Sequence, residues 1–232
     1  MPRSGSPSSP RPGGSCSPGC EPVRRLPTGV RATSVVYVPP MVRPEVGAAG
    51  AVLLTPGAGS DRDHHTLLAL DEALAPLPVG RVDFPYRKEG RRAPDRAPKL
   101  IASLVADAAE LCRSTRVAPG RLVLGGRSMG GRMCSMAVAE GLPAAGLVLL
   151  SYPLHPPGKP DRLRPEHFPQ LTVPCLFVSG DRDPFGSPAE LEAATAAIPG
   201  PVSHHWIAGG RHDVKGADDE ICSVVAAWVH AL

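Results

Sequence analysis

From residue 31 onward, short apolar runs alternate with stretches whose apolar positions recur every three or four residues. Ala51-Val52-Leu53-Leu54 is apolar without a break and stops at Pro56-Gly57. A strand covered on both faces needs no polar alternation, so this run predicts a buried strand. Leu122-Val123-Leu124 and residues 147–150 and 175–178 repeat the pattern, and residues 203–207 supply a last strand. Residues 32–38 are rich in β-branched side chains and end at Pro39-Pro40, which predicts an edge strand. Residues 79–84 form another short strand before Pro85. Between these runs the period changes to that of a helix. Leu67, Leu68, Leu70 and Leu74 mark one over 66–74, and Ile101, Leu104, Val105, Ala108 and Leu111 a second over 100–112. A third covers 129–140, closed by Gly141 and Pro143, and a fourth covers 189–198, stopped by Pro199-Gly200. Ile221, Val224, Val225, Trp228 and Val229 form the stripe of a fifth over 218–231. Strands alternating with helices of this length imply an α/β fold, a mainly parallel sheet with helices on both faces.

Composition adds a boundary. Residues 1–29 are dominated by Ser, Pro and Gly with scattered arginines, too little apolar surface to offset the entropy of ordering. A disordered tail at 1–29 and one folded domain at 30–232 are expected. Hydrophobic residues at 42% and charged residues at 20% suit one globular domain. The net charge of +3 owes much to tail arginines, so no nucleic-acid surface is expected. No apolar run reaches the roughly 18–20 residues that cross a bilayer, and none follows the first arginines as in a secretory signal. The six cysteines lack paired spacing apart from Cys16-x-x-x-Cys20, and most fall in apolar runs. Buried free thiols and a cytoplasmic setting are the expectation.

Chemistry enters where the strands end, because ligands of open α/β sheets bind beyond the carboxyl ends of the strands. Gly126-Arg127-Ser128-Met129-Gly130 joins the strand at 122–124 to the helix at 129–140. A serine at the tip of such a turn needs a strained backbone, and its neighbours at minus two and plus two must lack a Cβ. Ser179-Gly180-Asp181-Arg182-Asp183-Pro184 leaves the next-but-one strand, and Gly209-Gly210-Arg211-His212-Asp213 leaves the last. Ser128 is a weak nucleophile unless a base removes its proton, a task suited to the imidazole of His212. A carboxylate must then orient that ring. Asp183 is favoured because it stands farther out and precedes Pro184; Asp181 is expected to accept turn amides. Thr55-Pro56-Gly57-Ala58-Gly59 leaves the strand at 51–54, so the Ala58 and Met129 amides are candidate oxyanion donors.

Together these motifs are recognisable. Leu54-Thr55-Pro56-Gly57-Ala58-Gly59, Asp83-Phe84-Pro85-Tyr86, Gly125-Gly126-Arg127-Ser128-Met129-Gly130-Gly131-Arg132, Ser151-Tyr152-Pro153-Leu154-His155-Pro156-Pro157-Gly158 and Gly180-Asp181-Arg182-Asp183-Pro184-Phe185-Gly186 resemble the α/β-hydrolase superfamily, near the dienelactone hydrolases. They are also similar to testis-expressed hydrolase-like proteins and to the hydrolase-like subunit of a histone acetyltransferase complex. Many relatives carry His-Gly where this chain has Pro56-Gly57. The resemblance implies a three-layer α/β-hydrolase fold and a Ser128-Asp183-His212 triad acting on a small-molecule ester, thioester or related acyl bond. No cofactor, metal, nucleic-acid or membrane partner is expected. Arg127, Tyr86 and Tyr152 are candidate substrate-binding residues. Residues 155–170, where larger relatives insert a lid, are short and Pro-rich, so no helical cap is expected. The competing reading is a non-catalytic module of the same fold that serves as a protein-interaction scaffold.

Other motifs carry less. Asp61-Arg62-Asp63-His64-His65 has no second cluster at metal-ligand spacing and reads as a solvated helix start. His204-His205 reads as a strand pair facing two layers. The basic stretch from Arg87 to Lys99, with Arg91 and Arg92, reads as a solvated loop, with an anion pocket as the alternative. The glycine-rich turns lack the remaining residues of a phosphate loop or dinucleotide fingerprint.

Overall fold

The computed structural model describes residues 48–232. The expected tail at 1–29 and edge strand at 32–38 lie outside the described residues. Among the described residues six strands, β1 (Ala51–Thr55), β2 (Val79–Arg81), β3 (Leu122–Arg127), β4 (Gly146–Leu150), β5 (Cys175–Gly180) and β6 (Val202–Ile207), form one sheet in the order β2-β1-β3-β4-β5-β6. Every pairing is parallel. The helices are α1 (His65–Ala73), α2 (Pro85–Lys88), α3 (Ala97–Thr115), α4 (Met129–Ala139), α5 (Pro188–Thr195) and α6 (Asp218–His230).

The unbroken apolar runs are explained by what covers each face. Leu53, Leu124, Leu149 and Phe177 point into a core closed by Leu104 and Ala108 of α3, Met133 and Ala137 of α4, and Leu191 of α5. Their neighbours Val52, Leu54, Val123, Val148 and Val178 point the other way, against Leu67 and Leu70 of α1 and Ile221, Val225 and Val229 of α6. With a helical layer on each side, both sets of alternating positions must be apolar. The result is the three-layer α/β architecture.

The order of the strands fixes where a site can form. The chain runs outward from β1 to β2, then crosses back past β1 to β3. The carboxyl ends of β1 and β3 therefore lie side by side, with Thr55 opposite Gly126, and their following loops diverge. That is the switch point at which open sheets leave a crevice.

Two elements differ in length from the pattern. β2 is shorter than residues 79–84: after the Val82 amide bonds to Leu54, Asp83 accepts the Arg62 amide and Pro85 opens α2. α3 is longer than 100–112, since Pro98 sits in its first turn and Arg116, at φ 59°, ends it. Residues 155–170 contain only a single 3-10 turn, Phe168–Gln170, and no helical cap. Among the described residues no helix is long and apolar enough to cross a membrane.

Candidate active site

Ser128 sits between β3 and α4 with φ 51° and ψ −117°, a conformation that costs of order 1–3 kcal/mol outside glycine. Its amide donates to the Leu150 carbonyl at 2.8 Å, so the turn is tied to the end of β4. The flanking glycines are obligatory. A Cβ on Gly126 would lie 2.6 Å from the backbone of Gly130 and Gly131, and one on Gly130 would lie 2.6 Å from the Pro56 carbonyl. Strand, helix and the loop after β1 meet there backbone to backbone.

Three side chains from three strand ends converge. Ser128 Oγ lies 2.8 Å from His212 Nε2, and His212 Nδ1 lies 2.8 Å and 3.0 Å from the two Asp183 oxygens. A neutral imidazole donating its Nδ1 proton to Asp183 leaves the Nε2 lone pair for the serine proton. Asp183 is buried, and one of its oxygens also accepts the Phe185 amide at 2.9 Å. Asp181, expected to accept turn amides, is instead exposed, and the amide-accepting role falls to Asp183. The loops carrying Asp183 and His212 are held together by the Arg182 amide on the Gly210 carbonyl, 2.9 Å. A Cβ on Gly180 would collide with Gly210.

The loop after β1 completes the rim. Gly57 packs against the serine, since a Cβ there would lie 3.6 Å from that of Ser128. Among the described residues neither the Ala58 nor the Met129 amide has an acceptor, which leaves both free for a ligand oxygen. Pro56 keeps the turn without a donor of its own.

The three residues expected to touch substrate do other work. Tyr86 is fully buried and its hydroxyl donates to the Ala58 carbonyl at 2.9 Å, so it holds the loop from beneath. Tyr152 is buried among Phe168 and Phe177, and burial pushes its phenol pKa up. Arg127 donates to the His212 carbonyl at 3.0 Å. Burial pushes its pKa down, opposed by the nearby Asp213 and Asp183 carboxylates. The two tyrosines are buried, and Arg127 is half-buried against the loop that carries His212.

Residues that sequence patterns did not single out also shape the site. The Phe185 ring lies over the His212 imidazole, centroids 4.0 Å apart and planes 29° apart. Thr55 hydroxyl donates to the Gly125 carbonyl at 3.1 Å under the serine turn. The basic loop offers no anion pocket at Arg91, which pairs with Asp95 at 2.9 Å, while Lys99 reaches Asp95 at 3.3 Å and Arg87 reaches Asp61 at 3.2 Å. His64 caps α1, and His65 meets Asp218 at 2.6 Å. His204 bonds to Thr195 at 3.0 Å and His205 to Glu220 at 2.7 Å, both structural contacts.

A second Ser–His contact exists on α4, where Ser135 Oγ lies 2.8 Å from His167 Nε2. Its polarity is wrong for a base. The Ser135 hydroxyl already donates to the Arg132 carbonyl at 2.9 Å, so His167 must be the donor. Burial and the nearby Arg132 charge push the His167 pKa down to about 4, and Ser135 is fully buried.

Residues 48–227 match the family described as the alpha/beta hydrolase domain. The chain belongs to this family. Solved structures of other hydrolases share this fold. A dienelactone hydrolase from Anabaena variabilis ATCC 29413 is 24% identical, covers 78% of this chain and 86% of its own, and has a TM-score of 0.65. An alpha-beta serine hydrolase homologue from Coxiella burnetii is 18% identical over 78% of this chain and 86% of its own, TM-score 0.63. The type II thioesterase BorB of the borrelidin biosynthetic cluster is 22% identical over 79% of this chain and 94% of its own, TM-score 0.58. At these identities the likeness concerns the fold.

Proposed function

We propose that this protein is a serine hydrolase that cleaves an ester, thioester or related acyl bond of a small molecule through an acyl-enzyme on Ser128. The observation that carries the reading is the unbroken series of contacts from Ser128 Oγ through His212 to Asp183, at 2.8 Å for each link. In this reading Ser128 Oγ attacks the acyl carbon while its proton passes to His212 Nε2. The Asp183 carboxylate stabilises the imidazolium that forms. The carbonyl oxygen, now an oxyanion, accepts the Ala58 and Met129 amides; losing one such donor typically costs on the order of 100- to 1,000-fold in rate. As the intermediate collapses, His212 returns its proton to the departing alcohol or thiol. Water then attacks the acyl-enzyme by the same route and the carboxylic acid leaves. Each step uses groups the chain supplies, and none calls on a cofactor. Strain stored at Ser128 also favours catalysis over the scaffold reading, since a binding module gains nothing from a serine held this way.

The names of the similar proteins include a lactone hydrolase and a thioesterase, so the test spans both bond types. Hydrolysis of aryl esters and acyl thioesters graded by chain length and charge is measured for the native chain and Ser128→Ala. Turnover of at least one class, reduced roughly 10,000-fold or more by the substitution, is expected. Turnover that Ser128→Ala leaves unchanged would overturn the proposal.

A further inference from the structure

The loop after β1 is clamped at both ends and pinned once between them. At its entry Gly57 lies against the serine turn, where a Cβ would come within 3.6 Å of that of Ser128. At its exit the Arg62 amide donates to Asp83 at 2.8 Å. Between them the Ser60 amide bonds back to the Gly57 carbonyl at 3.2 Å, closing a turn with Ala58 and Gly59 at its centre. The bond that closes such a turn does not hold its central peptide. Among the described residues the Ala58 carbonyl has one donor, the Tyr86 hydroxyl at 2.9 Å. Asp83 and Tyr86 belong to one short segment, Asp83-Phe84-Pro85-Tyr86, so the turn after β2 holds the loop at two points.

Gly59 determines what the Tyr86 bond prevents. Neither Ala58 nor Gly59 has a positive φ, which excludes the type II form of the turn. A glycine at the third position admits that form readily, and the two forms differ by turning over the Ala58–Gly59 peptide. Turned over, the Ala58 carbonyl would leave the buried phenol for the open side of the loop, where Gly59 is exposed. A carbonyl oxygen there repels a negative charge developing beside the Ala58 amide. Tyr86 is a firm anchor, since its ring is fully buried within the core. Burial also raises its phenol pKa, so the hydroxyl stays protonated and donates.

We propose that Tyr86 is a positioning residue of the oxyanion site. Its hydroxyl locks the Ala58–Gly59 peptide so that the Ala58 amide, and not the Ala58 carbonyl, is offered to the reacting oxygen. This role rests on the Ser128 chemistry proposed above and adds to it a residue that never touches substrate.

Tyr86→Phe keeps the buried ring and removes one oxygen. With the ester or thioester that the native chain turns over fastest, kcat is expected to fall about 10- to 100-fold, with KM changed by less than about twofold. Adding Gly59→Ala disfavours the left-handed φ that the turned-over peptide needs, and a Cβ at that position meets nothing within 4 Å. The double variant Tyr86→Phe/Gly59→Ala is therefore expected to regain kcat about threefold or more over Tyr86→Phe. A hydroxyl with a merely structural role would lower the urea midpoint without that recovery. A second readout needs no turnover: the Gly59 backbone amide resonance is expected to shift or double in Tyr86→Phe, while those of Gly126 and Gly130 stay in place. An unchanged kcat in Tyr86→Phe, a loss carried by KM, no recovery in the double variant or an unmoved Gly59 resonance would overturn the proposal. A native chain that turns over no substrate, with Gly59 displaced in Tyr86→Phe, would overturn the Ser128 activity alone.

Discussion

Arg127 stands next to the serine in sequence, yet its guanidinium grips the backbone of the residue that faces the serine. The bond to the His212 carbonyl makes it a positioning residue, because the imidazole is carried on a loop with no strand beyond it. Arg127→Met is expected to lower kcat about 10- to 100-fold with little change in KM, since small misplacement of a reacting group costs on that order. Steady-state kinetics on neutral and anionic esters checks this; a loss confined to anionic substrates would return Arg127 to substrate binding. Phe185→Ala removes the ring over His212 and is expected to lower kcat about 3- to 30-fold, read in the same assay. At this scale the sequence was partly readable. The order Ser128, Asp183, His212 after three strand ends pointed to residues that do converge, and Pro184 helped to separate Asp183 from Asp181. The direction of a side chain at a strand end was not readable. Tyr86 and Tyr152 follow strands just as ligand-binding residues do, but the helical turn at α2 and the Phe168–Phe177 cluster bury them.

At the level of elements, the serine turn shows why two glycines are fixed by packing and not by flexibility. Gly126→Ala and Gly130→Ala each place a methyl within 3 Å of backbone that cannot retreat without separating β3, α4 and the loop after β1. Each is expected to lower unfolding free energy by about 2–4 kcal/mol, seen as an earlier urea midpoint. An unchanged midpoint would contradict the close approach. Gly209→Ala makes a contrasting control: nothing crowds it, and only its φ of 68° opposes the change, so a loss of about 1 kcal/mol is expected. Apolar runs bounded by proline and glycine located the strands because burial on both faces leaves a strong signal. β2 ends earlier than its apolar pattern predicts because Val82 and Phe84 look like strand residues, while Asp83 and Pro85 pull the chain into a turn. The basic loop was ambiguous for a similar reason: Arg91 and Asp95 are visible in sequence, but their pairing depends on α3 beginning at Ala97.

The whole molecule places a neutral histidine under α4, and this has a cost in acid. His167 has a folded pKa pushed down to about 4, below the ordinary 6.5 of the unfolded chain. The unfolded state therefore binds a proton that the native state refuses between those values, and stability contributed by the neutral ring is complete above about 6.5 and declines toward about 4. Because the ring is part-exposed, the effect is expected to be on the order of 1–2 kcal/mol. Urea unfolding at pH 7 and pH 5 should show this loss, and His167→Gln should reduce it. Core integrity has its own readout: Cys134 and Cys175 have thiol pKa values pushed up to about 12 by burial, so iodoacetamide at pH 8 should modify them only after unfolding. The parallel sheet and its switch point brought residues 29 to 84 positions apart to one rim, which is where the proposed chemistry resides. Its most direct test is a fluorophosphonate probe followed by peptide mapping. Stoichiometric labelling of Ser128 in the native chain, lost in His212→Ala and absent from Ser135, is the result this account predicts. A native chain that stays unlabelled, or labels at Ser135, would contradict it.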